Sequence, residues 1–137
     1  MSVTPSLRQK VAERDRRRCS YCLTSEAICG LAMHVDHVIP EVAGGKTRED
    51  NLCLACFSCN VYKGAQQTAL DPLTGERAAL FHPVEQRWDE HFAWSESQTE
   101  IVGLTACGRS TVAALKMNHP AIVCARRRWV AAGWHPP

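Results

Sequence analysis

Two C-x-x-C pairs, Cys19/Cys22 and Cys56/Cys59, constrain this chain more than any other feature. Four thiolates in two matched pairs can close a tetrahedron around zinc, the arrangement of structural zinc sites. The run between the pairs, Leu23 to Ala55, is 33 residues, longer than the roughly 15 to 20 of a simple zinc ribbon. A folded unit must therefore sit inside the metal loop. With 137 residues the chain can bury only a modest core, and a metal staple would stabilise what that core cannot. A disulfide framework is the alternative, but it belongs to short secreted chains. The opening "MSVTPSLRQKVAERDRRRC" lacks the apolar stretch of a secretory signal, and no apolar run approaches the roughly 18 residues of a membrane span. The expected location is cytoplasmic, with no membrane partner. Cys29, Cys53, Cys107 and Cys124 stand alone and are most simply small buried apolar residues.

The net charge of +2 hides a partition. Residues 1–18 carry +4, residues 19–107 carry −7 and residues 108–137 carry +5. Basic ends around an acidic middle suit clamps on a polyanion flanking a site that holds cations. Solvated basic helix faces would give the same partition.

Residues 5–18 read as a helix with Thr4 as N-cap and Pro5 in the first turn. "LAMHVDHVI", Leu31 to Ile39, is strand-like and breaks at Pro40. Gly44 and Gly45 mark a turn, and Asp50 or Asn51 is expected to cap a helix running to Lys63, ended by Gly64. Residues 67–90 read as a connector with turns at Asp71-Pro72 and Thr74-Gly75. "HFAWSESQTEIVGL" reads as a β-hairpin. A short helix capped by Ser110 or Thr111 is expected through Met117, and another from Asn118-His119-Pro120 to Ala132, before Gly133. The domain division that follows is 1–66, a helix plus a zinc-stapled core; 67–90, the connector; and 91–137, an extension of one hairpin and two helices.

Inside the metal loop lies Asp36-His37, followed in order by Gly44-Gly45, Asn51-Leu52, Cys56-x-x-Cys59, Asn60 and Lys63. This string resembles the HNH endonuclease family, whose pattern is D-H-(I/V)-x-P, G-G, N-L, then C-x-x-C-(H/N)-x-x-K. Asn60 stands where the second histidine of the family's name would be, an H-N-N form. The resemblance implies an α+β fold with a small ββα-metal core, a structural Zn²⁺ on Cys19, Cys22, Cys56 and Cys59, and a catalytic Mg²⁺ or Mn²⁺ acting on DNA. An amide oxygen in place of imidazole is acceptable to magnesium, a hard ion.

Phosphodiester hydrolysis then suggests the roles. His37, with an ordinary imidazole pKa near 6.5, suits the general base that deprotonates water. Asp36 and Asn60 would hold the divalent ion, leaving positions open to water and phosphate. Asn51 corresponds to the family's middle asparagine, which pins the Gly-Gly loop and so orients the histidine. Lys63, one turn beyond Asn60, would touch a phosphate as a point charge. Asp36 and His37 are neighbours and alternate in a regular strand, so the strand is expected to end or bulge there. His34 shares the face of Asp36 but reads more simply as an exposed strand histidine.

In "HPAIVCARRRWVAAGWHPP", Ile122, Ala125 and Trp129 share one helical face, with Arg126, Arg127 and Arg128 fanned around the rest as a phosphate-contacting cluster. The tryptophans Trp88, Trp94, Trp129 and Trp134 are expected in the core between hairpin and helices. Three functions fit: a metal-dependent DNA endonuclease, a zinc-stabilised module that binds nucleic acid without cutting, and a regulatory protein in which zinc only stabilises the fold.

Overall fold

A computed structural model describes residues 2–137. Helix α1, Pro5–Arg14, starts at Thr4, whose hydroxyl accepts from the Leu7 amide at 3.2 Å. It stops four residues before the expected end. Asp15 turns its carboxylate away to accept from the Ser20 hydroxyl (3.0 Å) and the Leu54 amide (2.9 Å), and Arg16 and Arg17 both adopt left-handed φ, 56° and 54°. The tertiary bonds of one carboxylate thus outweigh a run of good helix formers. Arg14 at the last turn donates to the Glu49 carbonyl at 2.6 Å and to that of Leu52.

A one-turn helix α2, Glu26–Cys29, leads to strand β1, His34–His37, which pairs antiparallel with β2, Leu52–Ala55, in the register His34 with Ala55 through His37 with Leu52. Helix α3, Phe57–Lys63, follows at once and packs across β1. The expected helix over 50–63 is therefore a 3₁₀ turn at Glu49–Asn51, a strand and a helix. Its four apolar residues "LCLA" are all buried, and a short continuous apolar run carries no period that separates strand from helix. Tertiary pairing with β1 decides it.

The stretch expected as a connector holds a second hairpin, β3 (Thr68–Leu70) with β4 (Arg77–Ala79), and a short helix α4, Trp88–His91. Its turn is built on Asp71, fully buried, whose carboxylate takes both Arg109 guanidinium bonds (2.9 and 2.8 Å), the Leu73 amide and the Thr74 hydroxyl. The third hairpin, β5 (Phe92–Trp94) with β6 (Ile101–Gly103), lies where the sequence placed it.

Helix α5, Ala106–Ala114, is capped by Thr105 rather than by Ser110 or Thr111, and ends at Leu115. Ser110 and Thr111 are fully buried. Thr111 accepts from the Phe81 amide (2.9 Å) and donates to the Cys107 carbonyl (2.7 Å). The start of α5 lies so close to its neighbours that a Cβ on Gly108 would sit 2.0 Å from the His91 carbonyl oxygen. Helix α6, Pro120–Ala132, begins at His119 and closes on Gly133 in the left-handed conformation, as its sequence predicts. The whole is α+β: three two-stranded hairpins and six α-helices among the described residues.

The core joins Val11, Tyr21, Leu52, Cys53, Phe81, Phe92, Ile101, Leu115 and Met117. Trp88 and Trp94 pack against it, and Trp88 donates to the Tyr21 carbonyl at 2.8 Å. Trp134 is exposed, contrary to expectation, as is Cys124. No helix among the described residues is long and apolar enough to cross a membrane.

Candidate active site and metal centre

The chain has a second way to pair its thiols, because Cys53 and Cys56 also read C-x-x-C. The structure chooses Cys19, Cys22, Cys56 and Cys59, whose sulfurs all lie within 4.8 Å of one another. Cys53 sits mid-strand in β2, and its thiol is pushed up to about 12, first by burial and then by the Asp36 carboxylate. It is inert. Each ligand pair forms the same turn: the Cys22 amide donates to Cys19 Sγ and the Cys59 amide to Cys56 Sγ, both at 3.4 Å. Zn–S bonds of about 2.3 Å in a tetrahedron put sulfurs about 3.8 Å apart, and Cys22 Sγ and Cys56 Sγ are 3.7 Å apart. The four donors suit a structural zinc. This staple ties the turn after α1 to the start of α3.

β1 carries the other chemistry. It stays regular through His37, and pairing continues beyond it with the Val38 amide donating to the Asn51 carbonyl at 2.9 Å. No bulge forms at Asp36-His37, so the two side chains find different partners. His37 Nε2 lies 2.9 Å from Thr47 Oγ1 and 3.2 Å from Glu41 Oε1. Asp36 Oδ2 lies 3.0 Å from Lys63 Nζ, with no aligned hydrogen bond. Burial raises the Asp36 carboxyl, and the Lys63 ammonium opposes that rise.

Lys63 itself is 2% exposed and also donates to the His37 carbonyl at 3.2 Å. Lys63, expected at a phosphate, is here buried against Asp36 rather than facing solvent. Asn60 sits half-buried three residues earlier on α3.

Between β1 and β2 the chain makes a loop clasped by one amide. Asn51 is buried; its Oδ1 accepts from the Ile39 amide (2.8 Å), and its Nδ2 donates to the carbonyls of Ile39 (3.0 Å) and Lys46 (2.9 Å). Gly45 fits under this clasp only because it lacks a side chain: a Cβ there would lie 1.7 Å from the Ile39 carbonyl oxygen. The loop in turn carries Glu41 and Thr47 to the His37 ring. Sequence reasoning read Glu41 only as a loop carboxylate and passed over Thr47. A 3₁₀ turn at Glu41–Ala43 brings residue 41 back over the strand end, which no local pattern announces.

At the C-terminus, Arg126 departs from the expected cluster. It is fully buried, donating to the carbonyls of Thr99 (3.0 Å) and Met117 (2.8 Å) and to Asn118 Oδ1 (3.1 Å), with its guanidinium 5.3 Å from the Trp94 ring centre. Only Arg127 and Arg128 are exposed. The buried face of α6 carries Val123 and Arg126, while Ile122, Ala125 and Trp129 are half-buried.

A ββα unit stapled by four cysteines, with a histidine held at the end of its first strand, defines a small metal-stabilised module of the kind that carries hydrolytic chemistry. Residues 19–66 match the sequence model of the family HNH endonuclease. No curated protein and no solved structure matches the chain. The match suggests a function that acts on nucleic acid.

Proposed function

We propose that the protein is a metal-dependent endonuclease that hydrolyses phosphodiester bonds of DNA, with His37 as general base. The observation that carries this reading is the setting of the His37 ring. Nε2 is hydrogen-bonded with the Thr47 hydroxyl at 2.9 Å and lies 3.2 Å from the Glu41 carboxylate; in the tautomer that donates from Nε2 to Thr47, Nδ1 keeps a lone pair for water. A carboxylate behind an imidazole also stabilises the cation formed when the proton arrives, as in hydrolase triads. Asn51 holds the loop that holds Glu41 and Thr47, and so orients the base at one remove.

Asp36 and Asn60 would hold the divalent ion; because β1 is regular and neighbouring side chains alternate, this requires the strand end to turn so that Asp36 and His37 meet one phosphate. Both offer oxygen, and the Asp36 carboxylate is a buried acceptor without an aligned hydrogen bond. When bound, the ion neutralises charge on the phosphate and the leaving oxygen. Until then Lys63 is the counter-charge beside Asp36 in a buried position, and it must yield or share that oxygen. Arg127 and Arg128 supply exposed positive charge for the phosphate backbone.

The same Lys63 contact favours a second reading, a zinc-stabilised module that binds nucleic acid without cutting it, because the lysine already occupies the carboxylate an ion needs. Supercoiled plasmid incubated with Mg²⁺ or Mn²⁺ separates the two. Nicking or cutting that disappears in His37→Ala, with DNA binding retained, is expected of the nuclease. Binding with no cleavage under any divalent ion would establish the second reading, and cleavage unchanged in His37→Ala would remove His37 from the role of base.

A further inference from the structure

The turn that ends α1, Asp15-Arg16-Arg17-Arg18, has a sequence at odds with its backbone. The Arg16 amide donates to the Glu13 carbonyl (3.1 Å) and the Arg17 amide to that of Ala12 (3.0 Å). These two bonds make a Schellman motif, in which the residue after the C-cap is left-handed and usually glycine. Here that residue is Arg16, at φ 56°, and Arg17 follows at φ 54°. A residue with a Cβ is disfavoured in that region and glycine is not. Helices α2 and α6 of the same chain do end on left-handed glycines, Gly30 and Gly133.

The turn is held in this form by its neighbours. The Asp15 carboxylate accepts from the Leu54 amide and the Ser20 hydroxyl, and the Arg17 carbonyl accepts from the Glu26 amide at 3.0 Å. Packing does not explain the two arginines, since both are exposed. A local rule broken without a gain in packing is a mark of function.

The guanidiniums divide by what they meet. Arg14 is committed to the Glu49 and Leu52 carbonyls, and Arg17 lies 3.8 Å from the Glu26 carboxylate. Arg16 and Arg18 have no side-chain hydrogen bond or ion pair among the described residues. Both line one hollow of about 200 Å³. Asp15 is the only carboxylate lining it among the described residues, and it is taken up by Arg14, Ser20 and the Leu54 amide. Two unpaired guanidiniums therefore border a site where the protein supplies no free anion of its own. Their planar forks of N–H donors match the oxygens of a phosphate.

The turn also lies close to the site. It closes the outer edge of β2, where the Ser20 amide donates to the Leu54 carbonyl at 2.8 Å and Arg14 to that of Leu52. Leu52 pairs with His37 across the hairpin, a step of about 5 Å. From Arg14 to Arg18 is four residues, at most about 15 Å of chain. At about 3.4 Å per nucleotide of each strand, a backbone with its scissile phosphate at His37 reaches the turn within a few nucleotides.

We propose that the arginine turn at the end of α1 is a phosphate clamp, in which Arg16 and Arg18 bind the backbone of duplex DNA a few nucleotides from the phosphate at His37. The left-handed arginine is retained because glycine, which suits the backbone, supplies no charge. The inference rests on the reading that the protein acts on nucleic acid. It adds a contact that positions the duplex and carries no base specificity.

The test uses the full chain carrying His37→Ala, so that bound DNA is not cut, and measures anisotropy of a labelled blunt duplex over a range of salt concentrations. One phosphate contact contributes a slope of about −0.9 in log K against log salt, a factor of about 5 at roughly 0.15 M. Arg16→Gly is therefore expected to weaken duplex binding about 5-fold, and Arg16→Gly with Arg18→Ala about 30-fold, the slope falling by about 0.9 and about 1.8. Arg16→Lys should keep the slope. The melting temperature of Arg16→Gly should hold or rise, because glycine takes φ 56° freely.

Duplex affinity and slope unchanged in the double variant, in a protein that otherwise cuts DNA through His37, overturn the clamp and leave the nuclease reading standing. Neither binding nor cleavage of any DNA overturns both. A melting temperature that falls in Arg16→Gly removes the strain on which the inference stands. Inorganic phosphate that saturates the turn as tightly as the duplex does, followed by the side-chain NMR signals of Arg16 and Arg18, makes it a free-anion site, and the proposal fails.

Discussion

Replacing Asn51 should unlock the loop that carries Glu41 and Thr47 to His37. The side chain makes three hydrogen bonds of 2.8 to 3.0 Å, one accepting from the Ile39 amide and two donating to the Ile39 and Lys46 carbonyls. At about 1 kcal/mol net for each bond, Asn51→Ala is expected to cost about 3 kcal/mol, a large fraction of the stability of a small domain. Asn51→Asp is the sharper variant. It keeps the acceptor for the Ile39 amide but turns a carboxylate oxygen toward two carbonyls that had been receiving N–H groups. Its cost should equal or exceed that of alanine, although the shape is unchanged.

Urea unfolding measures the total, and hydrogen exchange of residues 38–47 locates it, with protection lost in the loop before the rest of β1. Cleavage should fall with it, since His37 loses the partners that orient it. If Asn51→Asp unfolds within about 0.5 kcal/mol of the unaltered protein, the range of an ordinary surface substitution, and the loop amides stay protected, the amide is not the clasp.

Zinc removal should unfold the region from Cys19 to Lys63 cooperatively. Cys22→Ser or a strong chelator is expected to lower the melting temperature and abolish one equivalent of bound zinc, whereas Cys53→Ser should leave the zinc content unchanged. Asp71 should make the protein acid-sensitive. The Arg109 guanidinium holds its carboxyl well below the usual carboxylate range, so the native state binds its proton later than the unfolded chain does. Stability from this contact is complete above about pH 4 and is lost as pH falls below that; Asp71→Asn should flatten this part of the curve of melting temperature against pH. The C-terminal arginines should divide by burial. Arg127→Ala with Arg128→Ala should weaken DNA binding and reduce its salt dependence, while Arg126→Met should act first on folding.

Much of the core was legible because its signals are local in chain order. Two C-x-x-C pairs and the spaced Asp36-His37, Gly44-Gly45, Asn51 and Asn60 string carried a family resemblance that implied a stapled ββα unit, and the caps of α6 were plain at His119-Pro120 and Gly133. What the sequence missed has a common cause. β2 and the β3–β4 hairpin are too short to show a period, and Thr105 could be told from Ser110 as the cap of α5 only once Thr111 was seen bridging Phe81 and Cys107. Thr47 was passed over and Glu41 read only as a loop carboxylate because a loop threonine and a loop glutamate look like many others until the chain turns back.

The sequence by itself determined the donor atoms: which cysteines exist at ligand spacing, and which histidine, carboxylate and amides lie between them. Only the tertiary structure decided how those atoms are used. It set Cys53 aside from the thiol cluster because a residue in mid-strand cannot join a turn. It buried Lys63 on Asp36 and Arg126 under α6, where sequence had both on phosphate. Charge is a property of a residue, but whether that charge faces water, a carboxylate or a substrate depends on which segments fold against it, and that is settled by packing between parts of the chain far apart in order.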